Sequence, residues 1–440
     1  MADTTRINGA EYEYEYKLFN DDNELKLRDT AVVGFDICDN IFNPFADGYI
    51  TLMNSYNYVE KEFAMRGDGN DKFQIKLKPK EDANDGDLEY IFNIVSEQNY
   101  IDDATQSKNR KTYILQHVDM VSMKEMFPHE RRYHGKAGKI IEDILEQVGL
   151  KPGEIDPGDL IVKEFPEYII PTLSYRYIDV LFYVLQYYYK KTGEIYERGF
   201  LCYDRKNKEY NLKLLYTDFF AKYKSLIKES FNCGDLVSEP NSNPNNPPPK
   251  GDVKTFTGNV VSTNVTSAGT VISNTFFLNA LITGYDHILG TSRTKKLRVD
   301  DVRELWAEKF VQNFSAVGGQ PVKHVLLTDR KKSDEYKLFR LPFSYKDNIN
   351  IVFADLITNF TLYNLQLNIN VVGDVSRQSG SFINIFKLKE DGESNGDAIM
   401  LGSWFVTSVR HIKIGNTYRN EILGVKTYAG PDFSDSDATI

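Results

Sequence analysis

His129 and His134, in the stretch PHERRYHG, are the closest pair of histidines to test for chemistry. A zinc-protease helix needs its histidines at i and i+4, so that both imidazoles leave one face with a glutamate between them as base. Here the second histidine comes one residue late and Arg131 and Arg132 intervene, so the stretch reads as a solvated turn. Arg66-Gly67-Asp68 has the form of an adhesion tripeptide, but Gly69-Asn70 directly after it makes a plain turn the simpler reading. Gly318-Gly319 lacks the preceding strand and the following lysine of a phosphate loop. No histidine is placed to serve a serine nucleophile as its base.

Acidic residues number 63, which raises glycoside hydrolysis by paired carboxylates. They fall in runs such as Asp21-Asp22 and Lys80-Glu81-Asp82, however, the pattern of solvated loops. Tyr187-Tyr188-Tyr189 followed by Lys190-Lys191 has the composition of a base-stacking platform. The same residues also close an amphipathic helical pattern that begins at Tyr177, and that reading is preferred. Cys38, Cys202 and Cys233 are far apart and lack CxxC spacing, as expected for reduced thiols in a protein made in the cytoplasm. The expectation is a non-enzymatic chain with no catalytic residues, no metal ligands and no cofactor.

The elements that position these residues follow from pattern. In Asn364–Lys387, Leu365, Leu367, Ile369 and Val371 alternate with Gln366, Asn368 and Asn370, the period of a sheet with one buried face. Two strands are predicted, Leu365–Val371 and Ser381–Phe386, around a tight polar turn carrying Gly373-Asp374 and Ser379-Gly380. Trp404–Ile412 and Thr417–Leu423 follow as a second pair around Gly415-Asn416. Near the N-terminus, Thr30–Cys38 and Gly48–Met53 flank a predicted turn over Asn43–Gly48, and Phe73–Lys78, Tyr90–Val95 and Lys111–Val118 continue the strand pattern. Gly138–Val148 spaces Ile140, Ile141, Ile144 and Leu145 as a helix ended by Gly149. Tyr177–Tyr189 repeats that spacing with Asp179 in its first turn, and Gly199–Asp204 with Glu209–Leu215 predicts a hairpin over Arg205-Lys206-Asn207. Val302–Phe314 is read as a helix capped by Asp301.

These blocks predict an α+β, mostly β chain: a β-domain at 1–120, an α+β domain at 121–222, and a second β-domain at 350–430. A Pro/Asn-rich linker occupies 223–256, clearest at 239–252, an insertion or mixed α/β region covers 257–349, and a short acidic tail ends the chain at 431–440. A length of 440 residues fits about three domains. The 28 Tyr and 27 Phe suit sheet surfaces that are half buried or meet partners. A net charge of −10 argues against gripping nucleic acid, because phosphate neutralisation needs clustered Lys and Arg, yet it allows DNA to pass an acidic wall without sticking. The opening MADTTRING has no basic or apolar leader pattern, and no run reaches the ~20 apolar residues of a membrane span.

In this order the blocks resemble the central hub proteins of T4-type bacteriophage baseplates. The resemblance rests on Ala31–Asn54 with its NIFNPFADGYITLMNS hairpin, on Lys139–Gly149, and on the helix Ser174–Tyr189 before the hairpin FLCYDRKNKEYNLKLL. Val371–Ile385 and Gly402–Ile412 complete it, with Gly402, Trp404, Val409 and His411 in the expected places. Residues 223–350 lie outside the resemblance. It implies two tail-tube-like β-barrels per chain, a homotrimer forming a pseudo-sixfold ring, and an adaptor between a hexameric tail tube protein and a trimeric central spike protein. Other baseplate proteins would surround it, with the tape measure and then DNA in the lumen, no specific DNA binding and no membrane. The location implied is the virion tail baseplate, assembled in the host cytoplasm. The alternative kept open is a tail-associated carbohydrate-binding or cell-wall-degrading protein.

Overall fold

The computed structural model describes residues 12–79, 87–101, 109–127, 135–159, 161–162, 176–186, 188–192, 195–232, 258–259, 262–267, 281–286, 291–296, 324–329, 358, 365–386 and 402–426. The predicted helix at 302–314, the linker at 239–252, Cys233, His129, His134 and Gly318-Gly319 lie outside them. The architecture is mostly antiparallel sheet with a few helices, as the alternation of the sequence implies.

The N-terminal strands are β1 (Tyr12–Phe19), β2 (Glu24–Leu27), β3 (Val32–Asn40), β4 (Asn43–Met53), β5 (Lys72–Pro79), β6 (Leu88–Ile101) and β7 (Asn109–His117). Period-2 sequence drives them. In β5, Phe73, Ile75 and Leu77 are fully buried while the intervening residues are half exposed. The strands pair in the order β3-β4-β7-β6-β5-β1-β2 over one apolar core that includes Phe35, Ile50, Phe73, Phe92 and Tyr113. Helix α1 (Tyr58–Glu62) lies between β4 and β5. The turn predicted over Asn43–Gly48 is instead part of β4, and the chain reverses at Ile41-Phe42. The Asn40 and Asn43 side chains accept backbone N–H bonds from Phe42 and Phe45 (2.8 and 3.2 Å), and the pairing register shifts there, which accommodates Pro44 inside the strand.

An α+β unit follows: α2 (Val118–Glu125), α3 (Ala137–Val148), α4 (Tyr177–Leu185), and the strands β8 (Tyr189–Thr192), β9 (Ile195–Asp204) and β10 (Glu209–Leu214). Ile140, Ile141, Ile144 and Leu145 pack against Ile178, Leu181 and Val184, and Gly149 ends α3 at φ 81. Helix α4 is shorter than its pattern because the chain leaves it before Tyr188, which is buried in this core, and Tyr189, which is buried at the start of β8. Phe45 of β4 belongs to the same core, 5.6 Å from the Tyr210 ring.

The second β-region is built from β11 (Ile227–Asn232), β12 (Ser262–Ser267), β13 (Leu365–Val372), β14 (Phe382–Phe386), β15 (Gly402–Ile414) and β16 (Thr417–Lys426), with the short strand Gly258–Asn259 beside β11. Leu281–Asp286, Thr291–Lys296 and His324–Asp329 form a separate three-stranded sheet. Strands β15 and β16 form the expected hairpin, with Gly415 at φ 58. Strands β13 and β14 exist where predicted but do not pair with each other. The β15–β16 hairpin lies between them, giving the order β13-β16-β15-β14, a Greek key. Along its other edge β15 pairs first with β14 and then, from Ser408 to Ile414, with β3. That last pairing fuses the two β-regions into a single 14-stranded sheet.

Candidate functional site

The segment from Gly373 to Gly380, predicted as a tight turn, is the place where all three regions of the chain meet. It leaves β13 at Gly373, whose N–H bonds Tyr418 O (3.1 Å), and reaches β14 after Gly380, whose N–H bonds Val406 O (2.8 Å). Gly373 is required by contact: a Cβ there would lie 2.2 Å from the Tyr418 ring. Gly380 sits at φ 81, in the left-handed region. Asp374 caps the first bend by accepting from the Ser376 N–H (2.7 Å). Val375 is buried in the N-terminal core.

Arg377 is the centre of this segment. Its guanidinium lies flat against Glu229 of β11, with Nε to Oε2 at 2.9 Å and Nη2 to Oε1 at 2.8 Å, and both side chains are largely buried. Nη1 donates to Val372 O and to Asn420 Oδ1, the latter at 2.7 Å. Arg205, which the sequence presents as a turn residue of the β9–β10 hairpin, donates to the carbonyls of Val375 (3.2 Å), Ser376 (3.3 Å) and Arg377. From β3, the Asp39 carboxylate accepts from the Ser379 N–H and hydroxyl at 3.2 and 3.1 Å. One eight-residue connection is thus clasped by the α+β unit, by β11, by β16 and by the N-terminal sheet.

Beneath it lies His411, fully buried on β15. Asn420 Oδ1 receives the Asp374 N–H and Arg377, which fixes its Nδ2 as the atom donating to His411 Nδ1 at 3.0 Å. Nδ1 is therefore the unprotonated nitrogen and accepts from the Tyr418 hydroxyl as well (2.6 Å). Burial, and then the Arg205 and Arg377 charges, hold the imidazole pKa well below its ordinary value, so the ring is neutral. Its Nε2 has no hydrogen-bond partner among the described residues.

A second joint is apolar. Phe219 and Phe220, just after β10, meet Phe405 of β15 at 5.2 Å each, and Phe220 meets Phe382 of β14 at 5.3 Å. On the opposite, outward face of the fused sheet, Arg410 joins Asp36 of β3 to Glu421 of β16, and Asn368 of β13 donates to Glu421 at 2.5 Å. Gln366, Asn368 and Asn370 are half-buried there, while Leu367, Ile369 and Val371 are fully buried on the other face, as the alternation predicts.

The candidate chemistry of the sequence resolves into structure. Arg66-Gly67-Asp68 is a turn: the Asp71 carboxylate accepts from the Arg66 and Gly67 N–H groups, and the Arg66 side chain pairs with Asp21, Asp22 and Asp68. Tyr188 and Tyr189 are interior, so they offer no stacking face, and Lys190 pairs with Asp156 at 2.5 Å. Cys38 and Cys202 are free thiols. Among the described residues no His, Cys, Asp and Glu group is arranged to hold a metal ion, and no helix is long and apolar enough to cross a membrane. Gly392-Glu393-Ser394-Asn395-Gly396 does carry the spacing of a nucleophile elbow, and it lies outside the described residues. Sequence reasoning missed Arg205, Glu229 and Arg377, since nothing in a local pattern pairs positions so far apart.

The fold is similar to that of solved tail proteins, which bears out the resemblance at the level of fold. No family model matches the chain, and no curated protein matches it by sequence. Among solved structures it is similar to the tail protein from Neisseria meningitidis, at 9% identity and TM-score 0.52, over 95% of this chain and 98% of that one. It is likewise similar to the 43 kDa tail protein of prophage MuSo2 from Shewanella oneidensis, at 9% identity and TM-score 0.53, over 94% of this chain and 99% of the other.

Proposed function

We propose that this chain is a non-enzymatic structural subunit of a phage tail, the trimeric hub that adapts a hexameric tail tube to a trimeric spike. In this reading residues 1–120 and 350–430 are the two tube-like β-regions of each chain, so that three chains supply six, and 121–222 stands outside the ring. The observation that supports it is the β3–β15 seam, which makes the two β-regions one wall, with a closed core on one face and a polar face on the other. A wet lumen suits a face of Gln366, Asn368, Asn370 and the Asp36–Arg410–Glu421 network, and a net charge of −10 suits a channel that passes DNA without holding it. Heterologous contacts of such a wall close by rotation. Its partners would be the tube, the spike, other baseplate proteins and the tape measure, in a virion tail assembled in the host cytoplasm.

Mass photometry of the purified chain tests this reading. A species of three 50.5 kDa chains that leaves peptidoglycan intact is expected. A monomer that degrades peptidoglycan would overturn the reading in favour of a cell-wall-degrading tail protein.

A further inference from the structure

Asn54, Lys111 and Glu60 form a constellation that the tail-protein reading does not use. In the β4–β7 ladder Leu52 faces Lys111 and Met53 faces Arg110, and the Asn54 N–H continues the pairing to Asn109 O at 2.8 Å. Asn54 and Lys111 therefore project from the same face of neighbouring strands, one diagonal step apart, within reach of a lysine stem. Both are 3% exposed. A single carboxylate bridges them: Glu60 Oε1 accepts from Lys111 Nζ at 2.8 Å, and Oε2 accepts from Asn54 Nδ2 at 2.8 Å. The Val59 N–H donates to Asn54 Oδ1 at 2.9 Å, which fixes the amide orientation and polarises its carbonyl. Tyr56 and Asn57, both at positive φ (56 and 54), turn the chain so that Glu60 comes back over Asn54. The Tyr113 ring lies 5.4 Å from Nζ. The three side chains bring together an amine, a carboxamide and a proton carrier, the set that amide exchange needs.

We propose that Lys111 and Asn54 become joined by an intramolecular isopeptide bond that the chain forms on itself, with Glu60 carrying the proton. Glu60 takes a proton from Lys111 Nζ, and the freed lone pair attacks Asn54 Cγ. Charge developing on Oδ1 faces the Val59 N–H. Glu60 returns that proton to Nδ2, the Cγ–Nδ2 bond breaks and ammonia leaves, and Glu60 then takes the second Nζ proton, which the new amide cannot keep, and passes it to solvent. The Nζ–Cγ bond replaces the Cγ–Nδ2 bond with no change of oxidation state. Burial works against the Lys111 charge, but hydrogen bonds to Glu60 and to Glu97 (3.0 Å) outweigh it and hold the side chain protonated at rest. The step is therefore slow and quickens as pH rises. Loss of ammonia makes it irreversible, so one turnover per chain is enough.

Intact-mass and tandem mass spectrometry of the full purified chain, incubated at about pH 9 to raise the small neutral-amine fraction, reads the bond directly. The expected result is a mass one ammonia below that of the sequence, with a branched peptide containing Asn54 and Lys111. Lys111→Arg and Glu60→Gln, each shown to be folded by circular dichroism, are expected to keep the full sequence mass. Unlinked Asn54 and Lys111 peptides from folded wild-type protein would overturn the proposal. So would an ammonia loss that peptide mapping places at Asn54 and that persists in Lys111→Arg, since that marks cyclisation of Asn54 on its own backbone rather than at Asn8-Gly9 or Asn395-Gly396. A bond that still forms in Glu60→Gln would remove Glu60 from the mechanism.

Discussion

Replacing Arg377 with alanine removes the guanidinium that holds Glu229, Val372 O and Asn420 together and leaves the Glu229 carboxylate, 14% exposed, without its partner. Breaking a buried pair from one side is worth about 3–5 kcal/mol, because the surviving charge keeps its desolvation penalty. Asn420 loses one of its two donors in the same step, but its bond to the Asp374 N–H survives, so that loss adds only about 1 kcal/mol. Arg377→Ala is therefore expected to lower stability by roughly 3–6 kcal/mol. The double replacement Arg377→Met with Glu229→Met removes both charges at similar volume and is expected to recover most of that loss. Urea unfolding followed by circular dichroism measures these variants, with Arg377→Met alone and Glu229→Met alone completing the cycle. A loss below about 1 kcal/mol for Arg377→Ala would place the pair among solvent-screened contacts. Additive single and double effects would refute the coupling on which the clasp depends.

Leu367→Ala is expected to destabilise the chain by about 2–5 kcal/mol and Asn368→Ala by well under that, since only the first opens a cavity in the closed core; equal losses in thermal melts would refute the one-sided burial. Gly373→Ala drives a Cβ into the Tyr418 ring and is expected to cost about 1–3 kcal/mol in urea unfolding, despite an unremarkable backbone angle. His411 and His117 are both held below the ordinary histidine value of 6.5, chiefly by burial, so they are neutral in the fold and take up protons on unfolding. Stability from these groups is present above about pH 6.5 and is lost as pH falls below it toward the lowered folded values. Urea midpoints between about pH 7.5 and about pH 5 should show that decline, reduced in His411→Gln.

Much of the strand content was legible, because one-sided burial writes a period of two into the sequence; β5 and β13 show it residue by residue. The pairing was not. Leu365–Val371 and Ser381–Phe386 are adjacent in sequence with turn residues between them, so a hairpin is the natural expectation, yet the more apolar β15–β16 hairpin takes the place between them. Helix α4 was overextended because Tyr188 and Tyr189 fit a helical face as well as a strand, and only the three-dimensional core decides. The clasp was illegible for a related reason. Arg205 sits in a stretch, DRKNKE, that reads as solvent-facing turn, and its partners lie 170 or more residues away on the 375–378 connection. His411 was singled out only through its place in the resemblance, with no local sign that it lies under two arginines.

The seam between β3 and β15 also has a history in time. Residues as far apart as Asp36 and Arg410 become neighbours there, a separation of 374 positions. During synthesis β3 is complete long before any of β15 exists, so one edge of the N-terminal sheet waits with unpaired backbone groups while most of the chain is made. Such an edge is a template for another copy's strand, and crowded polysomes supply copies. Contacts this distant in sequence also form late and slowly. A nascent chain of this design therefore calls for protection of the β3 edge until Gly402–Ile414 arrives. Expression at reduced temperature or with a holdase should raise the soluble yield more than any change to the outward polar face.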